Sequence, residues 1–240
     1  MKGTEINRIL KREFANYLPQ FEIELIELTS MGFKIQKVIG DNVATTGFRK
    51  YNYAKGISFG GGGIHLLHKE VESLVFPLII KYKLWDTIKE PKQSDVTLGS
   101  NNETAFEKEL AVYPSTIIIA TEEDLMKFFR GFNYYIEGYF LPWLEKYNKL
   151  EEVNEFINRS SMSEVLDSFA APFPTQLYRA MVVAGYCNNH EKVKELKDEC
   201  LRLFEYCKTK DSYTPDRIKD LYDSLDELSG LIKNLHIHVE

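Results

Sequence analysis

Hydrophobic residues recur every three or four positions near the start of the chain. Ile6, Leu10 and Phe14 have this spacing, which predicts an amino-terminal helix. Pro19 would interrupt that helix, because proline is tolerated in a first helical turn but not in an interior. The apolar positions within residues 21–28 are therefore expected to form a second helical segment.

The pattern changes over residues 33–67, where β-branched and aromatic residues are separated by glycine-containing turns. This texture is typical of short antiparallel strands joined in sequence order. The candidate strands are Lys34–Ile39, Val43–Tyr53, Gly56–Phe59 and Ile64–Leu67. They predict a small antiparallel sheet, and the flanking amphipathic helices are available to cover one of its faces.

Residues 71–84 have two interpretations. Their apolar positions cluster on one face of a helix with Pro77 inside it, which favours a kinked helix. The continuous apolar run over residues 74–80 would also suit a buried strand. A further extended strand is expected at residues 116–119, which are β-branched throughout.

Aromatic residues dominate the segment from Phe128 to Tyr147. Thr121 and the three acids that follow it form a helix start, since orphan N–H groups and the helix dipole favour such residues there. Pro142 predicts a kink at Gly138, four residues earlier. One core-facing stripe is predicted, composed of Leu125, Phe128, Phe129, Phe132, Ile136, Tyr139, Phe140, Trp143 and Tyr147.

Helical patterns continue to the carboxyl-terminal region. The apolar stripes of residues 175–186 and 190–207 face each other across a short Asn-Asn turn, which predicts an αα-hairpin. The expected fold is α+β and helix-dominated, with a small antiparallel sheet packed against helices and an all-helical carboxyl-terminal half. The sheet region is assigned to residues 1–120 and the helical region to residues 121–240, or the two form one continuous domain.

Composition fits an ordinary globular protein, with 44% hydrophobic and 28% charged residues among 240. No run of eighteen apolar residues and no leader-like amino terminus is present, so a cytoplasmic location without membrane contact is expected. The odd number of cysteines (Cys187, Cys200 and Cys207) lacks metal-site spacing and predicts reduced, packed thiols.

Charge is divided unevenly along the chain. Residues 1–120 contain 15 basic and 14 acidic side chains, whereas residues 121–240 contain 15 and 22. The second half therefore carries a net charge of −7, which repels phosphate-rich partners and favours basic ones. No basic stripe interleaved with aromatic residues occurs, so nucleic acid is not an expected partner.

Four consecutive glycines (Gly60, Gly61, Gly62 and Gly63) are the first candidate for chemistry. A Walker loop would continue with lysine and a hydroxyl residue, but Ile64 follows the run. The βαβ unit of a dinucleotide site is not predicted, and no Gly-x-Ser-x-Gly elbow supplies a nucleophile. A flexible turn or bulge between strands is expected, and a ligand-binding loop is the alternative.

Histidines provide the other candidates. His65 and His68, with Glu70 nearby, are suitable metal ligands or acid–base groups, although their spacing is not diagnostic and His68 also suits a helix entry. His236 and His238 would point to one side of a terminal strand, or belong to a solvated tail. No bound metal and no cofactor are expected.

The amino-terminal helix, glycine-punctuated sheet and acidic helical tail resemble the layout of uncharacterised bacterial proteins, some of them suspected immunity partners of toxins. The resemblance rests on layout and implies no residue role. Together with the charge, it favours a non-enzymatic protein-binding module that uses an acidic helical surface, with Tyr134 as an interface candidate opposite the aromatic stripe. The alternative is a metal-dependent or small-molecule enzyme whose site includes the glycine run and His65 and His68.

Overall fold

A computed structural model describes residues 3–85, 97–100, 117–169 and 172–235. The chain folds into two compact units, and each unit combines two separate segments. The sheet unit comprises Met1–Leu66 and Gly99–Lys146, and the helical unit comprises Leu67–Leu98 and Tyr147–Glu240. This division differs from the boundary at residue 120 that the sequence suggests, because residues 121–146 belong with the sheet and residues 67–98 with the later helices.

The sheet unit is built on a five-stranded antiparallel sheet in the order β1-β2-β3-β4-β5. The strands are β1 (Ile23–Thr29), β2 (Gly32–Ile39), β3 (Asn42–Tyr53), β4 (Gly56–Leu67) and β5 (Leu98–Ser100). Tight turns join the first four strands, so the predicted meander is confirmed. The predicted strands on either side of the glycine run form the single strand β4.

The helical prediction for residues 21–28 is wrong. A short 3₁₀ helix, Leu18–Phe21, leads into β1. Leu25 and Leu28 both pair with apolar residues of β2, and a bulge between Leu25 and Glu27 adds one residue to the strand. The bulge converts the period-2 spacing of a strand into a three-residue spacing, which imitates a helix in the sequence.

One face of the sheet is covered by α1 (Gly3–Tyr17) and α3 (Glu122–Tyr135). Phe33 of β2 stacks on Phe48 of β3 with ring centroids 4.9 Å apart. Phe14 of α1 lies 4.8 Å from Phe33, and Phe132 of α3 lies 5.7 Å from Phe48. These rings form the aromatic core of the sheet unit, as the stripe on α3 predicts.

The aromatic helix changes its geometry before Pro142. A π-helical segment, Ile136–Phe140, follows α3 and leads into α4 (Leu141–Tyr147). The N–H of Leu141 donates to the carbonyl of Ile136, five residues back. Proline has no N–H to donate within a helix. The wider π-helical turn immediately before Pro142 accommodates this, so the helix continues through the proline. The segment occupies the position at which the sequence predicts a kink.

The helical unit contains α2 (Lys69–Lys81), so residues 71–81 are helical and the strand alternative is excluded there. The later helices are α5 (Leu150–Arg159), α6 (Met162–Ser168), α7 (Thr175–Tyr186), α8 (His190–Lys208) and α9 (Pro215–Asn234). The α7–α8 pair is the predicted αα-hairpin, and the helix-dominated α+β fold is confirmed. Along the described chain, none of the helices is both long and apolar enough to cross a lipid bilayer.

The strand expected at residues 116–119 forms one antiparallel bridge in the described structure. Ile57 N–H donates to the carbonyl of Ile119 over 3.2 Å, and Ile119 N–H donates back over 2.6 Å. The short strand β5, which the sequence pattern does not predict, lies beside the far end of β4.

Candidate functional site

The sheet has an open depression of about 310 Å³ on the face opposite the aromatic core. Side chains alternate between the two faces of a strand. Because Phe33 and Phe48 point into the core, their neighbours Lys34 and Gly47 are directed to the outer face. The outer-face residues that line the depression include Glu27, Lys34, Gly47, Arg49, Tyr51 and Gly61.

A row of opposed residues crosses the floor of the depression. Glu27 pairs with Lys34, and Lys34 pairs with Gly47. Gly61 lies beside Gly47, since a Cβ built on Gly61 would be 2.8 Å from the carbonyl oxygen of Gly47. Two neighbouring positions therefore have no side chain, and the backbone itself forms the floor.

The fold explains why Gly61 and Gly62 are glycines. Their φ angles are +112° and +98°, which residues with a Cβ rarely adopt. A Cβ on Gly62 would also lie 3.1 Å from the ring of Phe48. Phe59 and Gly62 both face the core although they are three residues apart, so the run holds an extra residue within β4. The glycines form a bulge inside one strand.

Gly47 has no such explanation. Its φ is not positive, and a Cβ there would meet only the carbonyl oxygen of Phe33 at 3.8 Å and Cγ of Lys34 at 4.0 Å. Glycine weakens the interior of a strand, and one established use for it is to allow a ligand or another backbone to approach closely. The open floor at Gly47 is therefore a feature that folding does not require.

Two cations and two large apolar side chains surround this floor. Arg49 is exposed and Lys34 is half-buried, and within the described residues neither has an ion-pair partner. Met31 is 61% exposed and Tyr51 is 42% exposed. The depression thus combines unpaired positive charge with apolar surface.

The predicted histidine site is not assembled. His65 is exposed on β4 in the sheet unit, whereas His68 and Glu70 belong to the helical unit. None of the three lines the depression, although Gly60 and Gly61 do. Across the described ranges, no three His, Cys, Asp or Glu side chains are grouped as metal ligands. His236 and His238 lie outside the described residues.

His68 has a clear role within the helical unit. It precedes α2 and is only 2% exposed, and its Nε2–H donates to the carbonyl of Tyr147 over 2.9 Å. Its backbone N–H donates to Oγ1 of Thr97 over 2.9 Å. Burial lowers the pKa of His68 to about 4, so the ring is neutral at neutral pH. Glu70 is exposed in the first turn of α2.

A buried ion pair that the sequence pattern did not single out joins α2 to α7. Arg179 and Glu72 are both fully buried, and their Nε–Oε1 and Nη2–Oε2 distances are 2.6 and 2.8 Å. Oγ1 of Thr97 donates to Glu72 over 2.8 Å, and Nη1 of Arg179 donates to Oγ1 of Thr175 over 3.3 Å. One feature of the sequence points to this pair: Arg179 is the single charged residue of α7, which is otherwise mostly apolar. Because both side chains are buried and paired with each other, we assign the ion pair a structural role and not a binding or catalytic one.

The remaining candidate residues occupy ordinary positions. Tyr134 is 43% exposed on α3 and its ring lies 3.5 Å from a Cβ built on Gly138, so its surface position is confirmed and its interface role stays a prediction. All three cysteines are free. Burial raises the pKa of Cys187 and of Cys200, which keeps both thiols protonated and unreactive.

Ion pairs occupy many acids of the helical unit. Basic residues one helical turn away pair with Glu199, Glu205 and Asp223. Such pairs weaken the negative potential at these acids, although the net charge of this half of the chain already counts both partners and stays at −7. Glu151 and Asp198 are both exposed, and neither forms an ion pair within the described residues.

The chain matches no protein-family model, and no curated protein and no solved structure matches it either.

Proposed function

We propose that this protein is a non-enzymatic binding module for another protein and that the outer face of its sheet is the contact surface. The observation that carries the proposal is Gly47, a strand-interior glycine that leaves the floor of the depression open without a steric or conformational need. A partner that lies against this floor would explain why position 47 is a glycine.

The residue types around the floor support the same conclusion. Tyrosine and arginine are enriched among residues that contribute most to protein–protein binding, and Tyr51 and Arg49 stand side by side on β3. Met31 adds a flexible apolar side chain that adapts to a partner. An immunity-like role, suggested by the layout of the chain, is one form that such binding could take.

The acidic helical surface is a second contact surface within the same function, and a basic protein would be its partner. It has less support than the sheet face, because lysines and arginines of the same helices pair with several of its acids. The enzyme alternative has no comparable support, since neither of its proposed histidines lines the depression.

Site-specific photo-crosslinking in the native host tests the proposal. A benzophenone amino acid would replace Tyr51 at the depression or, as the matched control, Tyr206 on α8, where the exposed fractions are 42% and 57%. We expect a discrete protein crosslink from position 51 that disappears when Gly47→Val fills the floor. A crosslink only from position 206 would transfer the contact to the acidic helical surface. No labelling from position 51, or labelling there that is insensitive to Gly47→Val, would contradict a specific site on the sheet.

A further inference from the structure

We infer that the depression accepts an acidic protein segment in which a bulky apolar side chain lies over the glycine floor and a neighbouring carboxylate pairs with Arg49. This inference rests on the proposed function and specifies the chemistry of the partner.

The charge of the site points to an acidic occupant. Lys34 and Arg49 carry two positive charges at the depression, and Glu27, opposite Lys34, carries one negative charge. The net charge of these three side chains is +1, and the exposed Arg49 guanidinium has no ion-pair partner among the described residues. A guanidinium binds a carboxylate through two parallel hydrogen bonds, whereas a basic partner would meet like charge here.

The shape of the site points to an apolar side chain beside that carboxylate. A volume of about 310 Å³ is at the low end of ligand pockets and accommodates one bulky side chain. Its floor at Gly47 and Gly61 is backbone without side chains, and Met31 and Tyr51 contribute apolar walls. An aromatic or branched aliphatic side chain would remove these surfaces from water together with its own.

The surroundings point to a protein segment in preference to a free small molecule. Exposed apolar side chains continue along the strands beyond the depression, with Tyr53 on β3 50% exposed and Val38 on β2 52% exposed. Both follow the strand alternation that directs Gly47 and Lys34 to the outer face. A small molecule in the depression would leave these side chains uncovered, whereas a segment of several residues would contact them.

Selection from a displayed library of random twelve-residue peptides tests the inference directly. The library would be enriched on the full-length chain and depleted on the Gly47→Val variant. We expect enriched peptides that contain Asp or Glu next to Phe, Trp, Leu or Ile. Selection on Arg49→Glu is expected to replace the acid by Lys or Arg. An enriched set that is basic or uncharged on the wild-type chain would overturn the inference.

Affinity measurements on one enriched peptide provide the quantitative test. Fluorescence anisotropy is expected to show a loss of about tenfold or more with Gly47→Val and with Arg49→Glu. Arg130→Glu, a charge reversal at an exposed arginine of α3, is the matched control and should leave the affinity unchanged. Circular dichroism and urea denaturation establish that each variant is folded, and Gly47→Ala replaces Gly47→Val if the latter is not. Equal losses with Arg49→Glu and Arg130→Glu would refute the assigned contact.

The two tests fail separately. If position 51 crosslinks a host protein but peptide selection ignores Arg49, the proposed function stands and the acidic chemistry is wrong. If peptide selection depends on Gly47 and Arg49 but no host protein crosslinks, the surface chemistry stands and the proposed function fails.

Discussion

At the scale of single residues, neighbouring glycines on the sheet have different causes. Gly61 is required by its backbone conformation, whereas Gly47 is not. We expect Gly61→Ala to lower the free energy of unfolding by about 2 kcal/mol or more, because the residue would be strained at φ +112° and its Cβ would collide with a carbonyl. Gly47→Ala should be neutral or stabilising by about 0.5 kcal/mol. Urea denaturation of both variants gives the comparison, and equal losses would show that the fold needs both glycines.

His68 should make the helical unit less stable in mild acid. Its pKa of about 4 lies below the value of 6.5 expected in the unfolded chain, so protons bind preferentially to the unfolded state. The contribution of His68 to stability is constant above pH 6.5, falls as the pH decreases from 6.5 to 4, and changes no further below 4. The full loss corresponds to about 3 kcal/mol. Urea denaturation curves recorded between pH 6.5 and 4 measure this loss of unfolding free energy.

The matched controls for that experiment are His68→Asn and His65→Ala. The first variant lacks the buried titrating ring, so its stability should show a shallower slope between pH 6.5 and 4. The second changes an exposed histidine of β4 and should retain the wild-type slope. If His68→Asn has the same slope as the wild type, another group causes the acid sensitivity.

At the scale of elements, the Glu72–Arg179 pair connects α2 and α7. Either Glu72→Met or Arg179→Met leaves a buried charged partner without its counter-charge, and each is expected to cost about 3–5 kcal/mol. The double variant Glu72→Met/Arg179→Met should lose less than either single variant, because it removes both charges. A double-mutant cycle from urea denaturation measures the coupling, and additive losses would show that the two side chains act independently.

Elements with a regular period could be predicted from the sequence, and elements that alter their period could not. The aromatic helix α3 and the αα-hairpin have uninterrupted 3.6-residue spacing, and both are found. In β1 one bulged residue changes the apparent period, so the sequence pattern of this strand predicts a helix. Tyr135 is fully buried although the predicted stripe does not include it, and its position seven residues after Phe128 places both on one face of the helix.

The candidate site was less accessible to sequence reasoning than the fold. The sequence makes the glycine run a candidate ligand-binding loop, and two of its residues, Gly60 and Gly61, line the depression. The sequence does not distinguish Gly47 from any other glycine. What sets it apart is that a Cβ added at this position would have room, and only the structure shows this. Arg49 likewise gains meaning only from the strand pairing that places it beside that space.

At the scale of the whole molecule, each unit needs residues from two distant segments. A fragment of residues 147–240 contains Arg179 but lacks α2 and Glu72. We expect this fragment to be helical by circular dichroism and to gain thermal stability from Arg179→Met, since the change removes an uncompensated buried charge. In the full chain the same substitution should lower stability. A loss in both contexts would show that Arg179 is held by groups other than Glu72.

The interleaved segments also determine when the protein can fold during its synthesis. Glu72 leaves the ribosome 107 residues before Arg179, which at about 5–20 residues per second is an interval of roughly 5–20 s. Throughout that interval the apolar side of α2, including Val71, Val75 and Leu78, lacks the helix that later buries it. The apolar side of α2 therefore stays without its final cover until α7 has been translated.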